Sequence, residues 1–131
     1  MSKRQIASPR IGAPNGHFSQ AVAVPANGRL VFISGMTARR VDGSVAGVGD
    51  VEAQTRQVCE NLKAAVEEAG GSLSDICRVD VYVIDVAHFE AIHKVRREYF
   101  SGVLPASTMV QVSRLVHPDY LIEISAIALA D

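Results

Sequence analysis

The chain has little net charge, few cysteines and no long apolar run, and each shortage removes a class of function. Thirteen basic residues against fourteen acidic ones leave a formal charge of −1 over 131 residues. No basic footprint is available for a polyanion, which counts against nucleic acid and anionic membranes as partners. Cys59 and Cys77 are the only cysteines. Their separation matches neither a zinc nor a redox pair, so both read as free thiols in apolar surroundings. Nowhere do about 18 apolar residues run together as a spanning helix needs, and the N-terminus lacks the apolar core of a secretory signal. A soluble protein of a reducing, cytoplasmic compartment is expected. The Walker A, G-x-G-x-x-G, G-x-S-x-G and H-E-x-x-H patterns are also missing, which leaves those enzyme classes without support. His88 and His93 are five apart on an expected helix and point to different faces, so no metal site is expected and both read as solvated. His17 and His117 read as turn histidines.

What is present fits one domain. Residues 1–15, punctuated by Pro9, Gly12 and Pro14, read as a flexible arm before a domain over 16–131. Residues 17–24 look extended, Asn27-Gly28 supplies a hairpin turn, and 30–34 make a second strand. Residues 39–45 continue as a loop or short strand. Apolar residues at 51, 58, 62, 65, 66 and 69 give one helix face, with Asp50 placed to cap it and Gly70-Gly71 to end it. Gln54 and Gln57 fall away from that face. The run 77–84 alternates, with Cys77, Val79, Val81 and Val83 on one side. Asp85 then caps a second helix over 86–100. The stretch 105–128 reads as two strands joined by a turn at His117-Pro118-Asp119.

This order describes an α+β sandwich in which two helices cover one face of a mixed sheet. The opposite face still carries apolar side chains and needs a cover, so a homo-oligomer is expected. In the last stretch Ser107, Met109, Gln111 and Ser113 share a semi-polar face suited to a pocket wall. Glu123, between Ile122 and Ile124, turns its carboxylate away from both. A carboxylate in an apolar strand must be solvated in a cleft, neutralised, or paired with an arginine such as Arg114 or Arg78. Both readings, functional and structural, stay open on the residues alone.

The stretch 105–128, with Gly-His-Phe-Ser-Gln-Ala at 16–21, Ile-Ser-Gly at 33–35, Gln-Thr-Arg-Gln at 54–57, Asn61-Leu62 and Val-Tyr-Val-Ile-Asp at 81–85, resembles the RidA family, also called YjgF or L-PSP endoribonuclease. The resemblance covers about residues 16–128. It implies a chorismate-mutase-like sandwich assembled as a homotrimer with clefts between subunits. For family members that are enzymes it implies cofactor-free hydrolysis of enamines and imines, small-molecule substrates, to a ketoacid and ammonia. Matching positions are Ser34, Gly35 and Glu123, the last implied to position the attacking water. Two positions depart from the pattern. Ser107 stands where the enzymes carry the arginine that grips the substrate carboxylate through two parallel hydrogen bonds, and Phe18 stands where they carry tyrosine. Arg39-Arg40, shortly after Ser34-Gly35, are candidate replacement cations and are similar to a pair in the branch that deaminates 2-aminomuconate. Arg114 lies on the strand face opposite Ser107 and reads as structural. The ribonuclease implied by the older name fits poorly with a charge of −1 and 5% aromatic residues. A non-catalytic small-molecule-binding or regulatory trimer is the competing reading.

Overall fold

The computed structural model describes residues 3–131, and its spine is the last strand. Strand β6, Ile122–Ala130, lies between β3, Arg29–Met36, and β4, Ile76–Val83, and is antiparallel to both. Strand β5, Ala106–Gln111, completes the four-stranded sheet in the order β3-β6-β4-β5 and runs parallel to β4. A parallel pair needs a crossover, and helix α2, Phe89–Tyr99, supplies it. Helix α1, Val51–Glu68, packs beside α2 on the same sheet face.

The sequence explains both helices. Asp50 accepts a hydrogen bond from the Ala53 amide at 3.1 Å, which satisfies one free N–H of the first turn. Gly70 takes a positive φ of 89° and ends the helix. Val58, Leu62 and Val66 of α1 and Ile92 of α2 meet Val79, Val81, Ile122 and Ile124 of the sheet in one dry core. Full burial of each such side chain contributes about 1.5–3 kcal/mol. Asp85 accepts from the Ala87 amide at 2.9 Å, capping a single 3₁₀ turn at Val86–His88 that leads into α2.

Five expectations need correction. The first hairpin does not form: β2, Ala21–Ala23, pairs with β1, Arg4–Ile6, and β3 pairs with β6. Gly28 does turn the chain, at φ 109°, but the turn carries it to the far longer β6. Residues expected as a loose arm thereby contribute β1. The final strand pair is not a hairpin either, because β4 is inserted between β5 and β6. The expected turn survives inside the connecting loop, where the Tyr120 amide donates to the His117 carbonyl at 3.1 Å. In β4 the ladder shifts register between Ile76 and Arg78. That irregularity buries Ile76 with Val79 and leaves Cys77 only half-buried, whereas Cys59 is fully buried.

Gln54 is the fifth correction, since it is completely buried rather than turned outward. Its side chain donates to the Asp119 carbonyl at 2.7 Å and to the Gly47 carbonyl at 3.2 Å, and accepts from the Leu121 amide at 2.8 Å. One amide thus clamps the loop before β6. Replacing Gln54 with leucine strands the Leu121 N–H and the Asp119 carbonyl, each unsatisfied group costing about 1–3 kcal/mol. Urea unfolding at fixed protein concentration should show Gln54→Leu destabilised by about 2 kcal/mol or more with an unchanged m value; a change within about 0.5 kcal/mol would remove the clamp from the account.

Candidate functional site

The sheet face opposite the helices is open. Phe32 is 71% exposed on it, and Glu123 lies opposite Tyr82 across the β4–β6 pair. Beside Glu123 the β3–β6 ladder breaks register between Ile33 and Met36, which places Ser34 and Gly35 at an irregularity of the kind that re-aims side chains near sites. Gly35 leaves room for the Glu123 carboxylate, the flexible end of which a Cβ there would displace. The carboxylate therefore lies against bare backbone, with exposed Ser34 next along the strand. A cavity of about 660 Å³ opens in front, lined by Gly35, Tyr82, Arg114, Glu123 and Ser125 among others.

Neither arginine proposed as a structural partner holds Glu123. Arg78 donates to Asp80 and to Thr108, each at 2.8 Å, and Arg114 shares the cavity wall without an ion pair to Glu123 among the described residues. A half-buried carboxylate with open space before it and no cation in contact is placed to accept a proton from water.

Ser107, Met109 and Phe18 belong to a second cavity of about 250 Å³. Their meeting is arranged by backbone. The Ser19 amide donates to the Pro105 carbonyl at 3.0 Å and the Ser19 hydroxyl to the Leu104 carbonyl at 2.6 Å, which fixes Phe18 at the start of β5. Two further lining residues, His93 and Arg96, come from α2 and were not anticipated. His93, expected to be solvated, is 1% exposed. Its ring stacks on Phe89 at a centroid distance of 3.9 Å, its Nδ1 lies 2.9 Å from the Phe89 carbonyl, and burial pushes its pKa below the usual imidazole value. Gly16 fits over this stack, since a Cβ there would lie 2.5 Å from His93 Nε2. Arg96 is 1% exposed and donates from Nη2 to the Ser107 hydroxyl at 3.2 Å. The missed signal is the stripe Phe89, His93, Arg96, Phe100, spaced as one helix face.

Arg39 and Arg40 sit elsewhere. Both are exposed; Arg40 donates to the Ser44 hydroxyl at 3.2 Å, and Asn61 holds the Arg39 carbonyl at 3.0 Å. They line a third cavity that also touches Gly35. Within one chain, then, Arg39 and Arg40 approach the Gly35 side, while Ser107, Met109 and Phe18 form a separate wall. Among the described residues no three of His, Cys, Asp and Glu gather as a metal site, and no helix is long and apolar enough to cross a membrane.

Two helices on one face of a β3-β6-β4-β5 mixed sheet, with a carboxylate on the free face, define the chorismate-mutase-like α+β class. Residues 8–130 match the family model described as Endoribonuclease L-PSP. A RutC family protein of Pyrococcus abyssi is 40% identical over 128 residues, 98% of each chain, and one of Pyrococcus horikoshii is 44% identical over 117 residues, 88% of each. Among solved structures, the Rid family protein YyfB of Yersinia pestis superposes with a TM-score of 0.89 at 33% identity, covering 98% of this chain and 99% of that one. E. coli TdcF with bound serine superposes with a TM-score of 0.73 at 32% identity, covering 98% and 99%. The chain belongs to the YjgF/RidA family, the same family that carries the endoribonuclease L-PSP description.

The close approach at Gly35 gives a direct test. Gly35→Ala should push the Glu123 carboxylate off its rotamer at a cost of about 0.5–1.5 kcal/mol, and Glu123→Ala in the same chain should recover most of that loss. A double-mutant cycle with no coupling between the two positions would place the clash elsewhere.

Proposed function

We propose that the chain is a cofactor-independent hydrolytic deaminase of enamine or imine intermediates, with a substrate preference altered from that of the arginine-bearing family members. The observation that carries this is the Glu123 carboxylate, half-buried, without a cation in contact, and held over Gly35 in front of an open cavity. Rid proteins are generally deaminases, and membership of the family supports the reaction class. In the proposed step, water adds to the iminium carbon as Glu123 accepts its proton; the resulting carbinolamine then expels ammonia and leaves a ketone. Ser34 and the Gly35 backbone border the reacting group. Phe18, Ser107 and Met109 contribute the other wall.

The assembly in this reading is a homotrimer with the open sheet face turned toward a neighbouring copy. Exposed Leu30, Phe32 and Val110 support a cover there, as does the separation of the Glu123 wall from the Ser107 wall within one chain. Static light scattering should return three times the 14.0 kDa chain mass; a monomer at micromolar concentration would contradict the assembly. Arg39 and Arg40, near Gly35, fit a dicarboxylate such as 2-aminomuconate as the substrate.

A second reading is favoured by one observation. Ser107 offers a neutral hydroxyl where family enzymes hold an arginine, which suits a non-catalytic, small-molecule-binding or regulatory trimer that kept the fold. Ammonia release separates the two. Wild-type protein should accelerate it from imino acids generated in situ or from 2-aminomuconate, and Glu123→Gln should lower the rate about hundredfold or more. No acceleration by wild type, with Glu123→Gln indistinguishable from it, would leave the binding reading.

A further inference from the structure

Beyond Met36 the chain leaves the sheet and folds back on itself as an arm. The Ala46 amide donates to the Ala38 carbonyl at 2.8 Å, Arg39 pairs with Val45, and the Arg40 amide donates to the Ser44 carbonyl at 2.8 Å. Asp42 closes the tip by accepting from the Ser44 amide at 2.9 Å and from the Ser44 hydroxyl at 2.6 Å, and Gly43 takes the positive φ of 88° that the turn needs. These bonds hold the arm to itself. Amide side chains of α1 attach it to the body. Asn61 Nδ2 donates to the Thr37 carbonyl at 2.9 Å and to the Arg39 carbonyl at 3.0 Å, while Gln54 holds the Gly47 carbonyl at the other end. Gln57 Nε2 donates to Asn61 Oδ1 at 3.0 Å. A primary amide has two N–H groups on one side and an acceptor on the other, so the donor from Gln57 decides which side of Asn61 faces the arm. Residues 54, 57 and 61 are spaced three and four apart, which places all three amides in one stripe along the helix.

The two arginines of the arm are not equivalent. Arg40 Nη1 donates to the Ser44 hydroxyl at 3.2 Å and so stays folded on the arm. Arg39 has no ion pair among the described residues; it is exposed and lines a cavity of about 560 Å³ that also touches Gly35 and Asn61. The reach of a flexible arginine is set by where its backbone is fixed, and one of the carbonyls that Asn61 holds is that of Arg39. We propose that Asn61, oriented by Gln57, is a positioning residue: through the Thr37 and Arg39 carbonyls it fixes the base of the arm and thereby presents Arg39 to substrate at the Gly35 edge of the Glu123 cavity. The presentation of Arg39 to substrate rests on the deaminase reading with a dicarboxylate such as 2-aminomuconate; the hold of Asn61 on the arm does not. Glu123 stands on β6, whose pairing with β3 ends at Met36, before the arm begins. Loss of the relay therefore weakens substrate binding and leaves the proton transfer in place.

Kinetics on 2-aminomuconate and amide NMR on the full chain test the relay. Asn61→Asp keeps the shape and the acceptor for Gln57 but turns an oxygen toward both carbonyls, so KM should rise about tenfold with kcat within about twofold of wild type. Arg39→Gln should raise KM by a similar factor, and the double variant should be no worse than Arg39→Gln alone, because Asn61 acts through Arg39. Because a charge at position 61 can unfold the protein, Gln57→Leu is the second variant: it removes only the orienting donor, and KM should rise about threefold. A role in stability alone would lower the melting temperature and leave KM at its wild-type value in every folded variant, which would overturn the assignment, as would KM effects that add in the double variant. The amides of Ala38 and Arg40 adjoin the two held carbonyls. Their resonances should shift in Asn61→Asp and Gln57→Leu but not in Lys63→Gln, an exposed change on the same helix. Those shifts without any wild-type turnover of 2-aminomuconate would uphold the relay and fail the deaminase reading. Wild-type turnover with unmoved resonances and unchanged KM would do the reverse.

Discussion

The structure depends on the two-sided pairing of β6. This strand closes the sheet on both flanks, against β3 and β4, and its alternation assigns every second residue to one of two environments. Ile122, Ile124, Ala126 and Ala128 are fixed against the helices. A slip of one residue would expose that row and bury Glu123 in its place. The carboxylate's position is thus enforced by the energetics of the core, through several apolar residues that never touch it. Gln54 adds the second restraint, since its bonds to Asp119 and Leu121 set where β6 begins.

Periodicity made the helices and β4 legible, because each has a buried face whose spacing is imposed by backbone geometry. Pairing was less legible. Alternation says that a segment is extended but carries no label for its neighbour, so segments adjacent in sequence were read as adjacent in space at both ends of the sheet. At β2 the local turn competes with a long partner and loses. At β5 the crossover through α2 imposes parallel pairing with β4, which no residue of 105–128 announces. The shift at Ile76–Arg78 is a smaller case of the same limit, since one extra residue in a strand reverses which side of Cys77 faces the core.

In the candidate site the family motifs point to Glu123, Gly35 and Ser107, and the geometry sets Gly35 against the Glu123 carboxylate. Arg96 and His93 were not, because polar residues on an amphipathic helix are assigned by default to solvent. The default fails when the polar residue lies within the apolar stripe. Phe89, His93, Arg96 and Phe100 follow one another at intervals of four, three and four, so the face that buries Phe100 and half-buries Phe89 carries the middle pair inward. A histidine survives this by staying neutral and stacking on Phe89. An arginine has no neutral form near pH 7, and Arg96 donates from Nη2 to the Ser107 hydroxyl and the His17 carbonyl.

The two halves of the candidate site therefore carry opposite charges in different settings. Glu123 is on an open sheet face with room before it, whereas Arg96 is enclosed behind Ser107 in apolar walls. Strand alternation enforces the split: Ser107 and Met109 pair with Val79 and Val81 of the core, whereas Glu123 pairs with Tyr82, whose side chain points to the other face.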